Sequence, residues 1–406
     1  MSSKKSLILL SIISGFFLFN TLSASTFFSG YSGAKLNYSA KSESKEYNPE
    51  LKLQAFFAGQ FNFSENLWSH MEISLDTNNL LSKSIFHETE SIFQIDELSL
   101  IAKGNMMDST NYFSLFMGTY DPIGSDVFLQ RYFSIEKIAS KITESYLGLA
   151  GSILYPHFGI GVSDIIKFNT IPFATGGYIY VNHEDEDYYV VNLDARAAAV
   201  FRYFTIDLAA GIGAPISDKY NGKDVIVAID KLYWHAGTTM LLGNNYTQSL
   251  FIQAGLSNAA FTAKDNNFIV TEDNIYLLFE PRWYLHSFHV NTSFYTLPKR
   301  TVEKLLHVDD SVGMDLNMYT DSAMIGYTPW TIGGHISFSL IDKNIYDLAD
   351  FSKLIENGYN VNLTPYIQTN FLSGELHLQA KLKIMEMTRT NFGNAFSVDL
   401  GYRTTF

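Results

Sequence analysis

Trp68, His70 and Glu72 share one face of an alternating run, and His70 and Glu72 stand about 7 Å apart at strand rise. An imidazole beside a carboxylate at that spacing can relay a proton or help hold a metal. The plainer reading of the same pair is polar lining. The run His183-Glu184-Asp185-Glu186-Asp187 offers hard oxygens to Ca²⁺, but it lacks the spaced ligands of a calcium loop. It reads equally as a solvated acidic turn. The ten histidines are otherwise scattered, and the chain has no cysteine. Disulfides, thiolate metal sites and cysteine nucleophiles are therefore excluded. The sequence also lacks a phosphate-binding Walker loop, an HExxH pair and a nucleophile elbow. The expectation is a protein with no catalytic residue, no metal and no cofactor.

Charged side chains at alternate positions are the commoner chemistry. Lys52, Glu72, Asp194, Arg196, Glu280, Arg282, Lys381, Lys383 and Arg403 all fall on the polar face of such runs. If that face lines a water-filled pore, they are candidate lining residues that could set ion preference. The bland alternative pairs each with a neighbour, for example Asp194 with Arg196 and Glu280 with Arg282. The stretch 119–144 adds a second set: Asp121, Asp126, Phe128, Arg131, Phe133 and Glu136. A 26-residue connection this apolar is out of place in water. Folded into a lumen it would be a constriction; packed on a rim it would be a cover or a contact between copies. Ile135, Ile138 and Ile142 predict a helix over 134–144 within it.

The elements that must hold these residues alternate with period two. Leu51, Leu53, Ala55, Phe57, Gly59, Phe61 and Phe63 share one face, opposite Lys52, Gln54 and Gln60. Leu376, Leu378, Ala380, Leu382 and Ile384 oppose Glu375, His377, Gln379, Lys381 and Lys383. Period two means β-strand. The pattern predicts strands at 28–40, 51–63, 66–76, 92–102, 110–118, 145–154, 173–182, 188–201, 204–213, 227–241, 246–257, 274–285, 287–296, 312–320, 331–340, 361–371, 374–386 and 395–406. They are long enough for tilted strands to cross a bilayer. Lipid tolerates strands only when the sheet closes, because an open edge leaves backbone groups unpaired. The fold class expected is all-β: a transmembrane antiparallel up-and-down β-barrel of about 18 strands, with 16 as the alternative. Short turns would lie on the periplasmic side and longer loops outside. Residues 156–171 could be a strand on Phe158, Ile160 and Val162, but counting it gives nineteen and reverses the turns that follow, so they are left as a periplasmic or lumenal excursion. Pro281 and Pro365 lie inside predicted strands, where each should force a bulge.

Composition agrees. The chain of 406 residues is 47% hydrophobic and 15% aromatic, with 41 acidic against 28 basic side chains. Disorder is excluded by the first figure and nucleic-acid binding is disfavoured by the last. Lys4 and Lys5, the apolar run Leu7 to Phe19 and the small residues Ser23-Ala24 predict a cleaved Sec signal peptide over 1–24. Residues 25–406 would then form one barrel domain. Phe61, Phe63, Phe201, Phe204, Trp283, Phe288 and Phe371 fall outward at periplasmic strand ends, as an aromatic girdle requires.

The chain ends in Phe396-Ser397-Val398-Asp399-Leu400-Gly401-Tyr402-Arg403-Thr404-Thr405-Phe406. This resembles the closing strand of bacterial outer-membrane β-barrel proteins of the porin-like kind. The resemblance implies that Tyr402 and Phe406 form an assembly signal; Thr404 departs from it where an aromatic is common. It implies location in the bacterial outer membrane after export through the Sec pathway. Implied partners are the lipid bilayer with lipopolysaccharide or an equivalent outer leaflet, the barrel assembly machinery and periplasmic chaperones, with a homotrimer as the assembly common among such channels. The function expected is a channel for passive diffusion of ions and small hydrophilic solutes. The alternatives are a transporter of hydrophobic compounds, and a surface adhesin or structural barrel.

Overall fold

The computed structural model describes residues 28–41, 48–82, 91–144, 153–185, 188–216, 219–220, 223–224, 231–244, 246–262, 267–326, 328–349, 358–387 and 395–406. The predicted leader and part of the acidic run at 183–187 (residues 186 and 187) lie outside the described residues.

Eighteen long strands form one closed antiparallel barrel. They are β1 (Phe28–Lys41), β2 (Asn48–Ser64), β3 (Leu67–Thr77), β4 (Ser91–Met106), β5 (Ser109–Thr119), β6 (Phe158–Phe168), β7 (Phe173–Asp185), β8 (Tyr188–Phe201) and β9 (Phe204–Ile216). The second half is β10 (Lys231–Gly243), β11 (Ser249–Thr262), β12 (Ile275–Leu285), β13 (Phe288–Thr296), β14 (Val312–Ile325), β15 (Thr328–Leu340), β16 (Tyr359–Phe371), β17 (Gly374–Lys383) and β18 (Phe396–Thr405). Each pairs with its neighbour in sequence, and β18 returns to β1 from Tyr31↔Thr405 to Ser39↔Ser397. Closure removes the free edge that lipid would not tolerate.

The outward alternates are apolar and exposed, among them Leu98, Leu115, Ile160, Ile179, Leu193, Phe279, Ile336 and Leu400. So continuous an apolar surface requires lipid around it. Phe63, Phe201, Trp283, Phe288 and Phe371 are exposed at the short-turn ends, where the sequence places the girdle. At the seam the Phe406 ring stacks on Phe28 and Phe57 with centroids 5.2 and 5.8 Å apart. Gly30 and Phe406 exchange both backbone hydrogen bonds at 2.9 Å. A Cβ on Gly30 would meet that ring at 3.0 Å and the Ala58 carbonyl at 2.2 Å, so only glycine fits under the seam.

The structure corrects three expectations. The strand expected at 145–154 is absent where described: Ile153 and Leu154 are irregular, and 145–152 lie outside the described residues. The strand is instead β6, inside the 156–171 stretch left as an excursion, and it pairs continuously with β5 from Thr119↔Phe158 to Ser109↔Phe168. The count stays at eighteen because one strand replaces the other. Phe158, Ile160 and Val162 do mark the alternation, and only the resulting count of nineteen argues against a strand there; Gly159 and Gly161 lie against Val181, Tyr180 and Ile179 with no room for a Cβ. Second, Pro281 and Pro365 force no bulge. Pro281 pairs with Leu250 and Pro365 with Gly334 in unshifted register. On the opposite side the ladder lapses beside each proline and then resumes in the same register. Third, the helix expected over 134–144 does not form. The helix is α1 (Val127–Phe133), ended by Ser134 at φ 55, whose N–H reaches Gln130 O.

Candidate functional site: the lumen and its two inward loops

The connection between β5 and β6 folds into the barrel. Phe128, Leu129 and Tyr132 of α1 are buried with Tyr120, Ile123, Ile138 and Ile142. A short bridge closes the loop on itself, with Ile123 N–H donating to Tyr155 O and Leu154 N–H to Ile123 O, both at 2.8 Å. The wall then grips it through polar side chains that alternate inward. Arg131 reaches Glu97 on β4 at 2.8 and 3.0 Å and Asp121 at 2.6 Å. The other Asp121 oxygen accepts from Tyr132 and from Tyr178 on β7, each at 3.2 Å. Arg196 on β8 donates to the Asp121 carbonyl at 2.5 Å and to Asp207 at 2.8 Å, and lies 4.2 Å from the Phe128 ring. Gln253 on β11 donates to Gly124 O at 2.6 Å, and Arg282 on β12 to Ile138 O at 2.8 Å. Glu280 takes Ser140 and Ser293.

The loop crosses the whole lumen. Glu136 accepts from Tyr246 at 2.6 Å, and Tyr246 sits in the short turn between β10 and β11, at the opposite end from the loop's roots. Lys167 on β6 stands 5.6 Å from the Phe133 ring. Asp126 turns its carboxylate inside the loop and takes the N–H groups of Ile138 and Ala139 at 2.9 and 2.8 Å. Burial pushes the Asp126 carboxyl up to about 6, against those two donors. Burial also opposes Glu144, but Lys141 and Lys137 beside it bring its carboxyl down to about 2. Burial raises the Tyr120 phenol to about 12.

A second loop, between β13 and β14, also turns inward. It carries α2 (Lys299–Val302), and Leu297, Val302, Leu305 and Val308 are buried. Asp309 accepts from Lys381 at 2.5 Å and from Asn362 at 2.8 Å, and Lys383 lies 3.6 Å away. Burial works against this carboxylate, yet Lys381 and Lys383 hold it below its usual range. His307 stacks on His335 at 4.1 Å, and burial drives its imidazole down to about 3. By its length and polar residues, 297–311 reads from the sequence as one of the longer loops expected outside the barrel. The signal available was the apolar set Leu297, Val302, Leu305, Val308, diluted by Lys299, Arg300 and Lys304.

The residues singled out in the sequence divide by neighbourhood. Asp121, Asp126, Phe128, Arg131, Phe133 and Glu136 all lie in the inward loop. Glu280 and Arg282 pair at 2.7 Å, as their spacing suggested. Asp194 and Arg196 do not pair with each other. Arg196 takes Asp207, while Asp194 faces His157 and His235. Lys52 lies 3.5 Å from Glu50, Arg403 2.8 Å from Glu375 and Glu72 3.0 Å from His70. Tyr402 donates to Leu372 O at 2.7 Å across the last turn, and Phe406 fills the seam.

Exposure separates the wall into two arcs. The side chains of Asp194, Arg196 and Glu280 on β8 and β12 are 0% exposed. Those of Lys52, Lys383 and Arg403 on β2, β17 and β18 are 39%, 30% and 31% exposed. Lys52, Lys383 and Arg403 therefore meet solvent on the β17–β3 side, where Lys381 and Asp399 are nonetheless buried, and Asp194, Arg196 and Glu280 meet protein on the β4–β13 side. Between the tip of the first loop and the wall lies a cavity of about 220 Å³, lined by Lys137, Lys141, Glu144, Arg282, His289 and Tyr319.

No known family profile matches the sequence, and no curated protein matches it either. Among solved structures the chain is similar to a mutant of the Rh. blastica porin, at 10% identity and a TM-score of 0.46 over 93% of this chain and 99% of that one. It is also similar to Salmonella typhi OmpF in complex with daunomycin, at 9% identity and a TM-score of 0.43 over 93% and 97%. At such scores the likeness carries no argument, and the barrel rests on its own strand ladder.

Proposed function

We propose that this barrel is a narrow channel for passive diffusion of ions and small hydrophilic solutes across a bacterial outer membrane, with the β5–β6 loop as its constriction. One observation carries the reading: Lys52, Lys383 and Arg403 stay partly solvated along one arc, while the loop seals the other. A solvated track beside a dry plug is what limited diffusion requires. Lys52, Glu72, Lys383 and Arg403 would line that track, with Asp194, Arg196 and Glu280 serving to hold the plug instead. The work is exclusion and electrostatics, without a reacting group. Export behind a Sec leader, recognition of the Tyr402 and Phe406 strand by the assembly machinery, and a homotrimeric state belong to the same proposal.

The test is conductance of the refolded protein in a planar bilayer. Discrete small steps are expected from the whole chain, and several-fold larger steps after deletion of 125–140. A folded barrel that stays silent in both forms would refute the channel. Unchanged steps after the deletion would refute the constriction alone.

A further inference from the structure

His157, Asp194 and His235 come from three places in the chain and meet inside the protein. His157 is the last residue of the inward loop before β6, Asp194 lies on β8 and His235 on β10. They are 0%, 2% and 1% exposed. Asp194 Oδ1 lies 2.8 Å from His235 Nε2, and Oδ2 lies 3.1 Å from His157 Nε2.

The His157 ring does not fit a simple hydrogen bond. Its Nδ1 is 3.2 Å from the Tyr120 carbonyl. A carbonyl only accepts, so Nδ1 carries the proton and a neutral ring presents the Nε2 lone pair to the carboxylate. Nε2 indeed makes no hydrogen bond, although it is buried. Two lone pairs facing each other in a dry interior are costly unless a positive charge lies between them. His235 Nε2 lies within hydrogen-bond distance of Asp194 Oδ1 and donates there in the metal-free ring, but its Nδ1 has no partner, so the proton can move to Nδ1 and leave Nε2 as a ligand.

The charges nearby point the same way. Glu97 and Asp121 pair with Arg131, and Asp207 with Arg196, whereas buried Asp194 faces the two imidazoles and no guanidinium. A cation among these donors would supply the charge that Asp194 lacks. The backbone makes room for the donors. Gly211 on β9 lies opposite Asp194 on one side and His235 on the other. A Cβ there would come within 1.8 Å of Asp194 Oδ1 and 2.4 Å of His235 Nε2. The donors are also held from behind. The Tyr155 ring stacks on His235 at 3.7 Å, and Tyr180 donates to Asp194 at 2.8 Å. Such outer contacts orient metal ligands.

We propose that His157, Asp194 and His235 bind one divalent transition-metal ion, Zn²⁺ by their donor set, which clasps the inward loop to the barrel wall. Two imidazoles and a carboxylate suit zinc. Ligand atoms all within 4.8 Å of one another bracket the roughly 3.3 Å edge that tetrahedral zinc bond lengths imply. The burial makes the site structural, since no solute reaches it. The other grouping of this kind among the described residues, His70 with Glu72 and Glu97, is a poorer site because Arg131 already occupies both Glu97 oxygens.

The experiment strips the folded full-length barrel with a chelator, offers Co²⁺ as a visible probe and competes it with Zn²⁺. One tightly held Co²⁺ per chain is expected, with the absorption of a four-coordinate nitrogen and oxygen site and displacement by Zn²⁺. His157→Ala and His235→Ala should each weaken uptake at least tenfold, while His70→Ala leaves it unchanged. Folding of each variant is followed by its heat-dependent gel migration. Should a variant not fold, X-ray absorption of the Co²⁺-loaded wild type decides by showing two imidazole ligands. Wild-type protein that takes up neither ion would overturn the proposal and leave a protonated His157 paired with Asp194. Uptake that survives both His157→Ala and His235→Ala, or that fails with His70→Ala, would overturn it as well.

Discussion

The two arcs of the wall are written in the same alternating code, yet they end in different physics. On β4–β13 the inward charges meet a loop. Arg196, Glu280 and Arg282 spend their hydrogen bonds on the backbone and side chains of 121–140, and water is excluded. On β17–β3 most of the same residue types meet neighbours on the wall, as Arg403 meets Glu375 and His70 meets Glu72, while Lys381 and Lys383 also reach Asp309 of the second loop. Alternation therefore decides which way a side chain points. What it meets there depends on a connection elsewhere in the chain, and that contact sets its energy.

The largest effect expected from this contrast is at Arg196. Arg196→Ala strands Asp207 in a dry site, frees the Asp121 carbonyl and removes the cation beneath Phe128. A cost of about 3–5 kcal/mol is expected in urea unfolding of the folded barrel. The same change at Arg403, in the solvated arc, should cost about 0–1 kcal/mol. Equal costs would erase the distinction between the arcs.

Acid comes next in size. The Asp126 carboxyl titrates higher folded, at about 6, than its ordinary 3.8. Between those values the folded state binds more protons, so stability falls as pH rises through that window and is regained on acidification. The difference is about 3 kcal/mol at most. Asp126→Asn should remove this dependence between pH 4 and 6 in unfolding measurements. Asp309 runs the other way. Held low by its lysines, it stabilises the second loop above the ordinary carboxylate range, and that contribution is lost as pH falls. Protease cutting within 297–311 should therefore rise in acid while cutting within 120–144 slows.

Selectivity should respond on one arc only. Lys52→Glu with Arg403→Glu is expected to raise the cation-to-anion permeability ratio several-fold in a planar bilayer, with stability nearly unchanged. A matching shift from Lys167→Glu, beside the plug, would argue against a track confined to β17–β3. The smallest effect is expected at the loop tip. Tyr246→Phe removes one exposed hydrogen bond to Glu136 and should leave the urea midpoint almost unchanged.

The sequence carried the barrel well because period two is a local signal repeated in nearly every strand. The sixth strand is misplaced because apolar residues of 145–154 mimic a strand, and with that one counted the alternation of Phe158, Ile160 and Val162 would make nineteen and reverse the turns that follow. The inward course of 119–144 was legible from its apolar excess, and its polar candidates all sit where the loop meets itself or the wall. Its helix is expected about two turns too late, since Asp126 satisfies Ile138 and Ala139 in an irregular turn that the spacing of Ile135, Ile138 and Ile142 does not reveal. Partner choice was not legible. Arg196 lies two residues from Asp194 but reaches across to Asp207, and the grouping of His157, Asp194 and His235 exists only after β8, β9 and β10 pair around the glycine at 211.

The plug crosses the barrel from end to end, and this bears on the order of assembly. The loop and the polar wall residues that grip it, from Glu97 to Arg282, form one unbroken stretch of chain. An open, curled sheet of β4–β12 can therefore wrap its loop before the later strands exist, with short closures in sequence and a modest entropic cost. The seam at Tyr31↔Thr405 joins the two ends of the chain and is the most distant contact of all. Closing last, it locks a filled interior, which spares the loop from having to thread a finished ring.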